Sequence, residues 1–381
     1  MRKIALLLSL LLALTLLLTA CGGSDKAAQT ATEAPTAEES AEQTAEEAAS
    51  AGASAPSERV ELVVFNWFDY IDPAVIDMFE EETGISVQYV NFTTNEEMYT
   101  KLEAGAGTYD VIFPSEYMIE RMIAHDMLAE LDLDAMPNFA NIMDRLKDPS
   151  YDPGNAHSVP YMWGTLGYVY NTELIDEELT SWGALFDEKY SGQVLMMNSM
   201  RDTIGLALKY LGYSMNTRDE AELNAAKDLL VEQKQKGIQS GYLLDEIKDK
   251  MVGGEAAIGV VYSGDAQYSI DENDSLRYVI PEEGSNIWVD GMCVPKSSKH
   301  IAEAQMFIDF MCREDIAEMN FDYIRYCSPV QAVADNLDEE ESAMPALNPA
   351  PEIIDKCEYF NDVEDAMELY EGVWMEVRLA R

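Results

Sequence analysis

The chain has 381 residues, with 71 acidic against 25 basic side chains and a formal net charge of −46. That balance excludes a phosphate backbone as the main partner, because nucleic acids need a basic face, and it disfavours an anionic membrane surface for the same reason. Hydrophobic residues make up 48% of the sequence, so two or three domains' worth of chain can bury a core and wholesale disorder is excluded.

In chain order, Arg2-Lys3 precedes a nearly pure apolar run over residues 4–18, then Leu18-Thr19-Ala20-Cys21. A basic start, an apolar stretch too short to span a bilayer and a small-residue end predict a signal peptide over 1–20. The Leu-Thr-Ala-Cys ending resembles a bacterial lipobox, which implies lipidation of Cys21. Residues 22–58 hold one Asp and seven Glu against one Lys in an Ala/Thr/Ser background. They cannot bury enough apolar surface to fold, so 21–58 reads as a lipidated Cys and flexible acidic linker.

The pattern then changes to a strand at 60–65, a helix opened by Pro73 and ended at Gly84, and an alternating strand at 85–90. A second helix capped by Asn95, a third strand at 109–113 and a helix capped by Ser115 follow. This β-α-β-α-β order with short connections predicts a parallel sheet with right-handed crossovers. A second α/β region starts near Gly164, with strands at 165–171, 193–197 and 256–262 and helices at 203–211 and 220–236. Val363, Met367, Tyr370, Trp374 and Val377 recur at helical spacing. Ligands of such sheets sit beyond the carboxyl ends of the strands.

Those ends pair an aromatic with a carboxylate: Trp67/Asp69/Tyr70, Tyr262/Asp265 and Trp288/Asp290, with Asp202 after a further strand. An alkylammonium ligand needs both residue types. A carboxylate gives it charge-assisted hydrogen bonds, and aromatic faces add cation–π attraction and cover its methylenes. Each pair alone is weak, since acids are abundant here and strand-end aromatics are commonly core. Four cysteines besides Cys21 show no C-x-x-C spacing, and there are only three His (His125, His157, His300). The sequence therefore predicts buried free thiols, no metal site and no cofactor.

Further segments stand out: Asn66-Trp67-Phe68-Asp69-Tyr70, Asn95-Glu96-Glu97-Met98-Tyr99-Thr100-Lys101-Leu102 and Tyr109-Asp110-Val111-Ile112-Phe113-Pro114-Ser115-Glu116-Tyr117. Val159-Pro160-Tyr161-Met162-Trp163-Gly164, Glu282-Glu283-Gly284, Trp288-Val289-Asp290 and Tyr326-Cys327-Ser328-Pro329 follow in order. Together they resemble the polyamine (spermidine/putrescine) solute-binding proteins of bacterial ABC importers. The resemblance implies an α/β, two-lobed periplasmic-binding-protein fold (type II), each lobe a mostly parallel sheet flanked by helices, with the ligand cleft between. Lobe one would comprise 59–164 plus 292–355 and lobe two 165–291 plus 356–381, with crossings near Gly164, Gly291 and Asp355. By position, Trp67, Tyr117, Tyr262, Trp288 and Tyr326 would form an aromatic box, with Ser115 at the lobe-one helix start. Tyr70, Asp69, Asp202, Asp265 and Asp290 would surround the amines.

There are departures. Ser199 stands where spermidine-type members have Asp, Tyr262 where Trp is usual, and Phe360 where Gln aligns. One acid lost and one gained at Asp265 leave both putrescine and spermidine open. The implied partners are a polyamine, the permease subunits of the importer and the membrane through the lipid anchor, with a monomer expected. The implied location is the outer face of the cytoplasmic membrane. The alternatives are a binding protein for another small solute, such as a sugar or other organic amine, and a carboxylate-pair hydrolase. The chain has no G-x-S-x-G, H-E-x-x-H or G-x-x-x-x-G-K-[ST].

Overall fold

A parallel pair opens the fold: β1 (Glu61–Asn66) lies beside β2 (Ser86–Asn91), Glu61 opposite Ser86 and Asn66 opposite Asn91. The computed structural model describes residues 60–380 apart from Ala106. The signal peptide, Cys21 and the acidic linker lie outside the described residues. Between β1 and β2, helix α1 (Pro73–Thr83) is set by three local signals. Asp72 accepts a hydrogen bond from the Ala74 N–H, Pro73 fixes the first turn, and Gly84 closes the helix at φ 73°. Its Phe79 stands edge-on against Phe307 and Phe310 at 5.0 and 5.3 Å, burial that stabilises by about 1.5–3 kcal/mol.

Helix α2 (Asn95–Glu103) is capped by Thr94 rather than Asn95: the Thr94 hydroxyl accepts from the Glu97 N–H. Asn95 instead reaches back to Ser115. The third strand, β3 (Val111–Ile112), is shorter than the sequence predicts. Asp110 explains this, since its carboxylate accepts from the Val63 N–H and the Ser298 hydroxyl and takes the place of a further ladder step. Helix α3 (Glu116–Ala124) follows at once.

The long strand β4 (Ser158–Asn171) is buried along its whole length. Its first half runs antiparallel to β9 (Ile287–Cys293), and its second half pairs with β7 (Ile258–Tyr262) and β8 (Leu276–Val279). With β5 (Val194–Met197) and β6 (Gln239–Leu243), the strands form one path, β2-β1-β3-β9-β4-β7-β5-β6, with β8 on β4. The β1–β2–β3 and β6–β5–β7 groups are parallel, while β4, β8 and β9 run against their neighbours. The path is therefore mixed, with a parallel group at each outer end.

Two cores divide along β4. Val159, Tyr161, Met162 and Trp163 belong to the first, and Leu166, Tyr168 and Tyr170 to the second. β9 puts Ile287 and Val289 into the first core. Helices α4 (Met200–Tyr210), α5 (Glu220–Gln235) and the C-terminal helix Met367–Leu379 cover the second core. α6 (Glu246–Val252) and α7 (Ser263–Glu272) flank β7 and β8, and α8 (Ile301–Met311) and α9 (Glu314–Ile324) return to the first core. On the C-terminal helix, Tyr370, Val373 and Val377 are buried, and Trp374 packs half-exposed against Tyr242.

Trp163 and Trp182 are fully buried core residues. Cys293, Cys312, Cys327 and Cys357 are free thiols, the first three buried. Among the described residues, no helix is long and apolar enough to cross a membrane.

Candidate functional site

Ser115 and Asp290 meet where β3 turns into α3. They form an isolated antiparallel bridge, and the Gly291 N–H donates to the Pro114 carbonyl at 2.9 Å. Ser115 occupies the cap position of α3, yet its hydroxyl makes no capping bond. It donates instead to Asp290 Oδ1 at 2.7 Å, and Asn95 Nδ2 donates to the same hydroxyl at 3.0 Å. The Tyr70 hydroxyl donates to Asp290 Oδ2 at 2.8 Å, and Tyr161 holds the Tyr70 carbonyl. Asp290 is 7% exposed, and no Lys, Arg or His among the described residues lies within ion-pair distance of it. Burial pushes its carboxyl up to about 6, against the pull of the two hydroxyls.

Asp202 is the corresponding acid on the second core, 4% exposed in the first turn of α4. Ser199 at the helix start and Tyr262 at the end of β7 both donate to its Oδ2, the latter at 2.8 Å. Its Oδ1 is buried without a partner. The helix start favours a negative charge here, but burial raises the carboxyl, opposed by the two hydroxyls and the nearby Arg201 charge. Arg201 does not pair with it. Its guanidinium lies over Phe360 and Tyr370, 4.5 and 5.0 Å from the ring centres, and donates to the Asn361 carbonyl and Asn216.

A run of aromatic rings joins the two acids. Tyr262 meets Trp288 at 6.2 Å, Trp288 meets Tyr326 at 5.0 Å, Tyr326 meets Tyr70 at 6.1 Å and Tyr70 meets Tyr161 at 5.4 Å, all edge-on. Two glycines permit this packing. A Cβ on Gly164 would lie 2.4 Å from Ser263 Oγ and 2.6 Å from the Trp288 ring, and one on Gly264 only 2.0 Å from the Tyr326 ring. The Trp288 indole N–H is buried without a partner. Burial raises the hydroxyls of Tyr70, Tyr262 and Tyr326 well above the ordinary tyrosine range, which keeps them neutral donors.

The other sequence-derived candidates fall at varying distance from this run. Tyr117 is half-buried and donates to Glu96 Oε1 at 3.0 Å. Trp67 lies on Phe92 at 4.5 Å and donates to the Phe113 carbonyl; no ring contact links it to the run. Asp69 is exposed in a left-handed conformation, φ 48°. Asp265 lies in the first turn of α7 and carries a resident partner, Lys248 Nζ, at 3.2 Å.

Sequence reasoning passed over Glu116. Its Oε2 accepts from the Val289 N–H and its Oε1 from the Phe360 N–H, each at 3.2 Å, so α3 is tied to the segment that enters the second core. Burial pushes this carboxyl up to about 8, with the nearby Asp290 charge adding to it. As one acid among 71, it gave no signal beyond its place between Ser115 and Tyr117. Ser199 also gains a role: counted in the sequence as a missing acid, it is a donor to Asp202.

No group of three or more His, Cys, Asp or Glu among the described residues could hold a metal ion. Two buried carboxylates take their side-chain hydrogen bonds from neutral hydroxyls, and neither forms an ion pair among the described residues. Such charges are costly to bury unless a partner supplies the opposite sign.

Residues 74–350 match the model of a family described as bacterial extracellular solute-binding protein. The chain is 32% identical over 327 residues to the spermidine/putrescine-binding periplasmic protein of Salmonella typhimurium, covering 85% of this chain and 93% of that one. It is 31% identical over 322 residues to the protein of the same description from Escherichia coli, covering 84% and 92%. Among solved structures, the spermidine/putrescine ABC transporter substrate-binding protein PotD of Streptococcus pneumoniae superposes with a TM-score of 0.78 at 37% identity. That match covers 84% of this chain and 99% of the other.

Proposed function

The chain belongs to the bacterial extracellular solute-binding proteins, and on that premise we propose that it binds a polyamine, putrescine or spermidine, between its two cores. It then delivers the ligand to the permease of an ABC importer. The family binds solutes for transport and does not catalyse. The observation that carries the reading is the pair of buried acids, Asp202 and Asp290, without an ion-pair partner among the described residues and joined by the rings of Tyr262, Trp288, Tyr326 and Tyr70. A diammonium chain supplies the missing charge at both ends and lays its methylenes on the rings. Each cation–π contact adds about 0.5–2 kcal/mol.

Both acids are almost fully covered, so ligand entry requires the two cores to part and close again. Closure would set the ammonium groups in a dry site where charge-assisted bonds are strongest. Ser115 and Tyr70 act as donors that hold Asp290 in place, and Ser199 and Tyr262 do so for Asp202. Trp67 and Tyr117 would line the outer wall. Asp69 would act at the rim.

The lipobox-like Leu18-Thr19-Ala20-Cys21 supports a lipid anchor on the outer face of the cytoplasmic membrane, with residues 21–58 as a tether. The anchored protein works as a monomer facing the permease. Calorimetry with putrescine and spermidine tests the binding reading: heat of saturable binding is expected, and no heat with either, while a sugar binds, overturns it. Cys21→Ser should release the protein from the membrane fraction; continued retention would rule out the anchor.

A further inference from the structure

We propose that Lys248 sets the number of amines this site accepts. Its ammonium occupies Asp265 and leaves Asp202 and Asp290 as the open acids along the aromatic run, so the site prefers a diamine to a triamine. This rests on the polyamine reading above and narrows it to a substrate class.

The geometry begins at α7. Asp265 directly follows Gly264, on which the Tyr326 ring lies, and among charged groups it acts most strongly on the Tyr326 hydroxyl. Asp265 therefore borders the aromatic run. Lys248, on α6, reaches Asp265 Oδ1 at 3.2 Å and lies over the Tyr268 ring at 5.5 Å. The charges of Asp245 and Asp249 add to that of Asp265 in favouring the protonated Lys248 ammonium. Among the described residues Asp202 and Asp290 have no such ion-pair partner, and Oδ1 of Asp202 is buried with its acceptor capacity unused.

A lysine side chain is itself a butylammonium, the same group that a polyamine would bring. At Asp265 it is already present and part of the protein. A third ligand ammonium beside Tyr326 would have to displace it, or sit beside it and be repelled. The Lys248–Asp265 pair is partly exposed, so solvent screens the penalty and the preference is moderate rather than absolute.

The test compares the wild type, Lys248→Met and Lys248→Met/Asp265→Asn by calorimetry with putrescine and with spermidine, each fold checked by thermal melting. The wild type is expected to bind putrescine more tightly. Lys248→Met, which keeps the apolar stem, is expected to raise spermidine affinity about tenfold relative to putrescine by freeing a charge pair of modest strength. The double variant should return that ratio to the wild-type value, because the freed carboxylate is gone. Lys248→Gln serves as the second neutral variant if Lys248→Met does not fold. An unchanged ratio in the neutral variants overturns the proposal, as does a wild type that binds spermidine more tightly. A wild type that binds neither polyamine overturns the underlying reading instead, so the two failures are distinguishable.

Discussion

The two ends of the aromatic run are built from the same parts but finished differently. Asp290 has both oxygens engaged, one by Ser115 and one by Tyr70. Asp202 receives both hydroxyls on one oxygen and leaves the other bare. On the proposed function, the Asp290 end is thus organised before any ligand arrives, whereas the Asp202 end would be completed only by an incoming donor. The supports differ too. Asp290 sits within β9, in a bridge to Ser115, while Asp202 rides on the first turn of a helix. An unmet buried acceptor costs about 1–3 kcal/mol, so the second end should gain more from ligand than the first.

The sharpest way to break this comparison is Asp202→Asn, expected to weaken putrescine binding about a hundredfold, or about 2.7 kcal/mol by calorimetry. A loss smaller than that of Asp290→Asn would reverse the assignment. Gly264→Ala addresses the ring that spans both ends. Its Cβ would meet Tyr326 at 2.0 Å, and overpacking should lower unfolding stability by about 1–3 kcal/mol in urea titration. An unaltered midpoint would mean that Tyr326 can yield.

Asp290→Asn is expected to weaken binding more than tenfold, about 1.4 kcal/mol, and an unchanged affinity would remove Asp290 from the site. The pH dependence sharpens the same point. The Asp290 carboxyl is raised to about 6, and an ammonium needs the ionised form, so affinity should fall about tenfold from pH 7 to pH 5. Asp290→Asn should flatten that profile. The unliganded protein behaves oppositely. A raised carboxyl contributes stability that is present below the ordinary carboxylate range and lost as pH rises through about 6 for Asp290 and about 8 for Glu116. Its melting temperature should therefore fall across that window; a rise would contradict burial as the cause. Tyr70→Phe, which removes one of the two Asp290 donors, should cost only about three- to fivefold, near 0.5–1 kcal/mol. A loss as large as that of Asp290→Asn would make Tyr70 a ligand contact in its own right.

The sequence by itself determined the elements whose signals are local. Asp72-Pro73 and Gly84 bound α1, the apolar runs give β1 and β5, and the helical stripe of Tyr370 and Val377 marks the C-terminal helix. It also brought forward both unpaired acids and the rings between them, because the aromatic-plus-carboxylate chemistry is written at strand ends and in the family's motifs. What it could not decide were side-chain choices with two local outcomes. Asn95 and Ser115 are good caps by composition, but both are drawn to the Asp290 cluster, contacts over 20 and 175 residues of chain. Glu116 looks like any surface acid until α3 is docked on β9 and the Phe360 segment. Asp265 and Asp202 are alike in sequence, and only the packing of α6 on α7 gives one of them a lysine and leaves the other bare. The physical reason is common to all of these. Backbone preference and apolar period are fixed by neighbours in sequence, whereas the state of a buried charge depends on which distant partners burial brings within reach.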